Sequence, residues 1–393
     1  MRTRKALLSF ALLAFAVASA HAQTPGAATF TTALATVGPP NYQTTNVPGH
    51  EGHQHLTRLG TLDLGPVAYT VSYCACVDKA HAPKVAPLEG YIGMPGPHAD
   101  NWYHSGFFFI ILNGQDIGTT PISTMAASES GSRAIVDMVW HHEISDVRVR
   151  FVGLPGEDRL YCEVTLEPKQ EIKSLEIRLN CYPSFFTAAY GRIGARRIKT
   201  PSTLIVEGKQ ATLPAAQAWW ACYYDEVFDI ANHEGDGPCA MAFVPDDADK
   251  VTLTAGDYAC PSSITFKPTA RKLRFAFWDF VNRTNADVLA TMPKAAEQAR
   301  ATLATADFTP AGIRGFDSAK SLADLESLLK KPRVRELLGA KAAEVDKWIA
   351  DSRPLLENPG EQQSIRGQEK MAAVMDAYQG FIWDAKLAEL FDF

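Results

Sequence analysis

The segment between residues 50 and 55 reads HEGHQH and concentrates groups that bind metal ions. Alternate residues of a strand share a face, so a strand beginning here would place His53 and His55 side by side. A third histidine, His104 or His142, would complete an open three-histidine zinc site. The H-E-x-x-H motif of zincins is absent, because this spacing is one residue too short. We predict zinc at His53, His55 and His104, against the plainer interpretation of an exposed polar loop. No other cofactor is expected.

A second histidine group, Trp140-His141-His142-Glu143, ends a strand-like run. Adjacent residues of a strand point to opposite faces, so one histidine at most can face a shared site without a bulge. A histidine and a carboxylate beside a groove can act as general base and general acid. His142 and Glu143 are therefore the predicted catalytic residues, with a structurally hydrogen-bonded histidine as the alternative.

The segment between residues 219 and 229 is dense in aromatic and acidic side chains. Aromatic rings stack on the C–H faces of sugars, and carboxylates accept hydrogen bonds from sugar hydroxyl groups. Two adjacent tryptophans in a strand cannot both face one core, so one of them should line a second surface. The predicted saccharide-binding residues are Trp219, Trp220, Tyr223, Tyr224 and Asp225. The alternative is that these aromatics belong to the core.

Several well-defined catalytic motifs are absent. The chain has no G-x-S-x-G elbow, no phosphate-binding glycine loop and no dinucleotide fingerprint, which argues against serine hydrolases of that type, P-loop nucleotidases and Rossmann enzymes. A glycosidase remains open, because its two carboxylates need not be close in sequence.

The N-terminus predicts export. Residues 1–22 combine a basic start, an apolar stretch from Ala6 to Ala20 and an Ala-His-Ala cleavage site, the pattern of a signal peptide. The protein is therefore expected in the periplasm or outside the cell, with no membrane span, since no later apolar run is long enough. The formal net charge is −6, and removal of the basic signal makes it more negative, which disfavours nucleic acid as a partner.

Seven cysteines follow the signal, so at least one is unpaired within a monomer even where disulfides can form. Cys162 and Cys181 fall on the apolar side of alternating segments. We expect them to be buried thiols rather than half-cystines.

Residues 42–283 alternate between apolar and polar with period two, interrupted by Pro and Gly turns, which predicts a large antiparallel β-sandwich. The clearest alternation runs from Val147 to Tyr182. It suggests an antiparallel meander in which Leu166 faces Leu175. The opposite face of this meander is polar and should meet solvent, a groove or a second polar layer.

Near residue 284 the apolar spacing becomes helical, and prolines punctuate the segments that follow. The predicted fold is mainly β with a C-terminal α region: a signal peptide (1–22), an irregular arm (23–41), a β-sandwich domain (42–283) and a helical region (284–393). The helices are expected to cover the sandwich or to form a small bundle that docks a protein partner.

The strand rhythm of residues 143–183, followed by the aromatic segment from 219 to 229, resembles the large β-sandwiches of the galactose-mutarotase-like superfamily. That resemblance implies carbohydrate binding or carbohydrate chemistry. The mutarotase catalytic motifs do not match here, and the helical region is too short for the catalytic toroid that follows this sandwich in some glycosidases and phosphorylases. We therefore predict an exported saccharide-binding protein. The alternatives are a carbohydrate-active enzyme (epimerase, lyase or glycosidase) and a zinc-dependent protein centred on His53 and His55.

Overall fold

A computed structural model of the chain describes residues 30–44, 51–77, 90–184, 186, 191 and 193–391. The predicted signal peptide and residues 23–29 of the predicted arm lie outside the described residues. Two large antiparallel sheets pack face to face, and helices follow them in the chain. The predicted fold class, mainly β with a C-terminal α region, is confirmed.

Among the described residues, sheet 1 has eleven strands, with β1, β3, β4, β5, β6, β12, β19, β18 and β15 in spatial order, β2 on β3 and β7 on β6. Their bounds are β1 Leu34–Val37, β2 Asn41–Thr44, β3 Gln54–Asp63, β4 Ala68–Cys76, β5 Tyr91–Gly96, β6 Phe108–Leu112, β7 Gln115–Asp116, β12 Leu175–Leu179, β15 Lys209–Pro214, β18 Ala248–Ala255 and β19 Ser262–Phe266. Strand β1 falls within the predicted irregular arm. It forms because its backbone pairs with the edge of β3, which a sequence pattern does not reveal.

Sheet 2, as far as the structure describes the chain, has nine strands in the order β14, β13, β16, β17, β20, β11, β10, β9 and β8. Their bounds are β8 Thr124–Glu129, β9 Ala134–His141, β10 Ser145–Gly153, β11 Arg159–Pro168, β13 Arg196–Lys199, β14 Leu204–Val206, β16 Trp220–Asp225, β17 Cys239–Phe243 and β20 Lys272–Asp279.

Aromatic side chains fill the space between the sheets. The rings of Phe108 on β6 and Phe275 on β20 lie 5.5 Å apart and perpendicular, and Trp102 Nε1 donates to the carbonyl oxygen of Trp278 at 2.9 Å. Cys162 and Cys181 are both buried as free thiols, as expected. Burial of these large apolar surfaces is the main stabilisation of the sandwich.

The first strand pair of the predicted meander is confirmed, and the second is wrong. Val147 pairs with Leu166 across β10 and β11, but Leu175 pairs with Leu112 and Phe266 in the other sheet. Strand β20 occupies the free edge of β11, so the chain crosses the core after residue 168. Leu166 and Leu175 are both buried, because they enter the same core from opposite sheets. Alternation therefore predicted which side chains are buried and not which strands are neighbours.

In the described part of the chain, seven helices follow the sandwich. They are α1 Asn285–Thr305, α2 Ala311–Gly315, α3 Ser318–Leu329, α4 Pro332–Leu338, α5 Ala340–Leu356, α6 Pro359–Gln363 and α7 Ile365–Leu390. Helix α1 starts where Thr284 Oγ1 accepts from the backbone N–H of Asp287, a typical N-cap, next to the predicted boundary at 284. No helix in the described part of the chain is both long enough and apolar enough to cross a membrane.

The helices divide into two groups by their packing. Helix α1 buries Val288, Met292 and Leu303 in the same apolar core as the sandwich, against the outer face of sheet 2. Helices α3, α4, α5 and α7 share a second apolar cluster, and α7 also contacts β10. The outer face of sheet 2 is thus covered by helix, and its polar residues form a second polar layer beneath α7.

Candidate functional site

The outward side chains of β6, β12, β15, β18 and β19 line a groove of about 450 Å³ on the outer face of sheet 1. Because these strands bury every second residue in the core, the intervening positions present a polar row. Its lining residues include Phe109, Asp116, Arg178, Asn180, Gln210, Thr252, Thr254 and Ser263. We call this feature the groove.

A guanidinium and a carboxylate form the charged centre of the groove. Arg178 Nε lies 2.6 Å from Glu176 Oε1, and Ser263 Oγ donates to the same oxygen at 2.6 Å. The hydrogen bonds from Arg178 and Ser263 lower the pKa of Glu176, with burial opposing them, so this carboxylate is ionised at neutral pH. The Arg178 side chain is 56% exposed and can reach a ligand from this position.

Asp116 contributes a second carboxyl group with a different environment. It follows a tight turn at Asn113 and Gly114, both of which have positive φ, and its Oδ1 accepts from the backbone N–H of Gly118 at 2.9 Å. Burial raises the pKa of Asp116 to about 6, against the opposing effects of Gly118 and Arg178. The groove therefore holds one carboxylate that is always ionised near neutral pH and one carboxyl group that exchanges a proton there.

Aromatic rings cluster where the groove reaches Asn180. The ring centroids of Tyr103 and Tyr182 are 4.6 Å apart, and Tyr182 lies 4.3 Å from Phe186 and 5.1 Å from Tyr258. The backbone N–H of Tyr103 donates to the carbonyl oxygen of Asn180, which fixes this cluster next to the groove lining. Tyr258 is exposed, so a ring face or edge is open to a ligand.

This combination of groups suits a polyhydroxylated ligand. Arginine, carboxylate, amide and hydroxyl side chains can each donate to or accept from sugar hydroxyl groups, and the aromatic cluster offers apolar surface for C–H groups. A volume of about 450 Å³ lies in the range of small-molecule pockets.

The predicted binding residues Trp219, Trp220 and Tyr224 lie elsewhere, on the side of sheet 2 that faces α1. All three are mostly buried, and they line one wall of a cleft of about 530 Å³ beside Leu289 and Pro293 of the helix. The Arg300 guanidinium stacks over the Trp219 ring, 4.6 Å from its centroid. Ligand binding by these three residues stays a prediction.

The other two predicted binding residues have structural contacts. The Tyr223 hydroxyl group is 2.6 Å from Ser262 Oγ in the space between the sheets. Asp225 is fully buried, and its Oδ1 accepts from the backbone N–H groups of Ala195, Val227 and Phe228. These contacts fold the turn after β16.

The predicted catalytic pair lies in the hairpin between β9 and β10. His142 is buried, and its Nδ1 accepts from the backbone N–H of Ile144 at 3.2 Å. Burial lowers the pKa of His142, which favours the neutral ring needed for this contact. Glu143 is exposed, and its backbone carbonyl accepts from the Gln170 side chain. Catalysis by His142 and Glu143 stays a prediction, and these contacts explain the pair as parts of a turn.

The predicted zinc ligands lie apart from one another. His55 lies on β3 opposite Cys76, and His53 Nδ1 is 3.5 Å from Cys76 Sγ. His104 lies against β5, two strands away, with its Nδ1 3.1 Å from the carbonyl oxygen of Ala99. Within the described ranges, no three His, Cys, Asp or Glu side chains are grouped so as to hold a metal ion. His50 lies outside those ranges, and the zinc site stays a prediction.

Sequence reasoning missed Asp116, Glu176 and Arg178 as site residues. A signal existed for Glu176 and Arg178, because both occupy outward positions of a clean alternation whose polar face was expected to meet solvent or a groove. Asp116 had no comparable signal, because its burial depends on the turn at residues 113–114 returning the chain against β6.

Comparisons with known proteins give similarity of architecture alone. No protein-family model matches the chain, and no curated protein matches it. Among solved structures, it is similar to a Klebsiella pneumoniae protein assigned as an aldose 1-epimerase, with 11% identity, a TM-score of 0.36 and coverage of 69% of this chain and 90% of that one.

Two glycosidase structures are also similar. One is an α-N-acetylgalactosaminidase from Bifidobacterium bifidum (9% identity, TM-score 0.38, covering 70% of this chain and 41% of that one). The other is a GH36 α-galactosidase from Geobacillus stearothermophilus (10% identity, TM-score 0.33, covering 74% and 49%). This chain spans less than half the length of either glycosidase. At these identities and TM-scores, the similarities assign no ligand to this chain.

Proposed function

We propose that the chain binds saccharides in the groove on the outer face of sheet 1. The observation that carries the proposal is the row of outward polar side chains, centred on Glu176 and Arg178, beside an aromatic cluster. Arg178 would donate to ring or hydroxyl oxygens, and Asn180 and Thr252 would hydrogen-bond to further hydroxyl groups. This keeps the predicted ligand class and moves the predicted site from the aromatic segment to the opposite sheet.

A second candidate function is proton transfer on the bound sugar. Its support is the pair of carboxyl groups with separated pKa values, lowered at Glu176 and raised to about 6 at Asp116. A group with a pKa near the working pH serves well as general acid or base. In this proposal Asp116 exchanges the proton, and Arg178 stabilises negative charge on a sugar oxygen.

The test is to incubate the protein with a panel of monosaccharides and polysaccharides, scoring binding by calorimetry and chemical change by NMR in the same samples. Arg178→Gln should lose at least about tenfold in affinity. The matched control is Arg335→Gln, which removes another exposed arginine, paired with Asp346 in the helical region. Equal binding by both variants would refute the groove as the site.

Products in these samples would assign catalysis to the groove, with Asp116→Asn as the variant that should abolish turnover while retaining binding. Binding without products would support a saccharide-binding protein and refute proton transfer on the bound sugar.

We also propose that the protein acts after export. The support is the sequence of residues 1–22 alone. N-terminal sequencing of protein secreted by its host should give a chain that begins at Gln23, and an intact Met1 in that protein would contradict export with cleavage.

A further inference from the structure

A second polar cavity lies between the sandwich and the helical region. It has a volume of about 560 Å³ and is lined by outward residues of β10, β11 and β20 on one side and by residues of the helical region on the other. Its charged lining residues are Arg148, Lys272, Arg274, Arg314, Glu163, Glu167 and Asp307. This cavity is separate from the groove, because it lies on the outer face of the opposite sheet.

The carboxylates of the cavity already have partners. Glu163 Oε2 is 2.8 Å from Arg274 Nη2, and Asp307 Oδ2 is 3.3 Å from Arg314 Nη1. Glu167 Oε1 accepts from the backbone N–H of Ile365 at 2.8 Å. Two cations remain, Arg148 and Lys272, and neither has a carboxylate within ion-pair distance in the described part of the chain.

Arg148 is the unusual one of these two cations. It is 5% exposed, and its guanidinium donates only to neutral acceptors, Gln368 Oε1 and Thr165 Oγ1. Its Nε is buried without a hydrogen-bond partner among the described residues. Asp137, Glu163 and Glu167 attract its charge from beyond ion-pair distance, but burial and Arg150 oppose them and lower the pKa of Arg148. A buried charge whose hydrogen bonds are incomplete is costly, so a further anion would stabilise it.

A second arginine strengthens the local positive potential. Arg150 Nη2 donates to the same Gln368 Oε1 at 3.1 Å, so two guanidinium groups share one neutral oxygen. Arg150 itself is neutralised by Asp137, with Nε 2.6 Å from Oδ1. A planar guanidinium such as that of Arg148 is well suited to an oxyanion, and Lys272 adds a mobile ammonium group at the rim.

We propose that this cavity binds a small molecule bearing an oxyanion, a carboxylate or phosphate group, with Arg148 and Lys272 as its cationic contacts. Gln362, Gln363 and Thr309, which also line the cavity, would hydrogen-bond to neutral parts of the ligand. A volume near 560 Å³ exceeds what an isolated oxyanion needs and accommodates a sugar-sized molecule. The bound group would join β10 and β20 to α6 and α7, and so hold the helical region on the sandwich.

The experiment titrates the full chain with inorganic phosphate, glucuronate and neutral glucose, and follows both the thermal midpoint and the calorimetric heat. In the Arg178→Gln variant, whose groove should bind saccharides weakly, we expect phosphate or glucuronate to raise the midpoint with a saturable isotherm, and glucose to leave it unchanged. Phosphate alone would indicate a phosphate group, and glucuronate alone a carboxylated sugar. No saturable binding of either anion up to tens of millimolar would overturn the proposal.

Two variants locate the site without depending on a severe core change. Lys272→Gln removes the exposed ammonium and should weaken anion binding about tenfold, whereas Lys294→Gln makes the same change on an exposed face of α1 and should not. Gln368→Glu supplies a carboxylate from the chain itself, so it should raise the unliganded midpoint and abolish the response to the anion.

An undiminished response in both Lys272→Gln and Gln368→Glu would place the anion elsewhere and refute the assignment. The groove variant Arg178→Gln should respond to the anion as the wild type does. Loss of saccharide binding in that variant with retained anion binding would show that the two sites are independent, and either proposal can then fail alone.

Discussion

The outer faces of the two sheets carry arginine and carboxylate residues at alternate positions, and they meet different surroundings. On sheet 2, Arg150 and Asp137 lie beneath the helical region, where the arginine side chain is 2% exposed. On sheet 1, Arg178 lines the groove and pairs with Glu176, and the arginine side chain is 56% exposed. The same strand pattern therefore produces a structural interface on one sheet and a candidate binding surface on the other.

The largest effect on stability is expected at Arg150, on the covered face of sheet 2. Arg150→Ala removes the partner of Asp137 under the helices and should lower the free energy of unfolding by about 3–5 kcal/mol, because an unpaired carboxylate is left buried. Chemical denaturation measures this directly. A loss below about 1 kcal/mol would show that water reaches this face and that the helices do not seal it.

The aromatic segment on the covered sheet should also respond as structure. Trp220 is mostly buried between β16 and α1, so Trp220→Ala should cost about 3 kcal/mol of unfolding free energy. Trp383→Ala, at an exposed tryptophan on α7, is the matched control and should cost little. Weaker saccharide binding by Trp220→Ala at unchanged stability would instead support the aromatic segment as the ligand site.

Asp146 lies at the start of β10 on the covered sheet. Arg366 of α7 donates to its carboxylate, and Lys169 and His141 of the sandwich also contact it, so Asp146 links the sheet to the helix. Burial opposes its ionisation, but these bonds lower the pKa of Asp146 to about 2. Because the folded-state pKa lies below the ordinary value, the stabilisation is present above about pH 4 and is lost between about pH 4 and pH 2.

Asp146→Asn should therefore cost about 2 kcal/mol at pH 7 and almost nothing near pH 2. Denaturation at a series of pH values measures the difference. Glu297→Gln, which breaks an exposed ion pair with Arg300 on α1, is the control and should cost less than about 0.5 kcal/mol at every pH. A cost for Asp146→Asn that is independent of pH would contradict the role given to its charge.

On the outer face of sheet 1, replacement of an arginine should affect saccharide binding rather than stability. Arg178→Gln should cost less than about 1 kcal/mol of unfolding free energy, since the ion pair with Glu176 is largely exposed. The tenfold loss of saccharide affinity expected for this variant should appear at that nearly unchanged stability. Large destabilisation would mean that Arg178 serves the fold, as Arg150 does.

On the same sheet face, Asp116 should make the stability depend on pH. Its raised pKa means that the folded state holds a proton between about pH 4 and pH 6, so the stability of the wild type falls as pH rises through that interval. Asp116→Asn should gain stability relative to the wild type across the same interval. Asp63→Asn changes an exposed aspartate with the same contact to the backbone N–H two residues on, and its difference from the wild type should stay flat. Parallel curves for the two variants would refute the buried environment of Asp116.

Particular residues show which features of the fold the sequence predicts and which it does not. The alternation around Leu166 and Leu175 predicted their burial, because period-two patterning reflects the distance of a side chain from the core. It did not predict that they sit in opposite sheets, because two sheets facing one core impose the same pattern. The composition of the segment points to Trp219, Trp220 and Tyr224 as ligand residues, but these side chains are covered by α1, which begins more than sixty residues later in the chain.

The central claim is that a saccharide binds the open face of sheet 1. Hydrogen exchange followed by mass spectrometry, on the full chain with and without a saccharide that calorimetry shows to bind, tests it most directly. We predict added protection in β12, β18 and β19, with β16 and α1 unchanged. Protection confined to β16 and α1, or no binding by any saccharide of the panel, would contradict the claim.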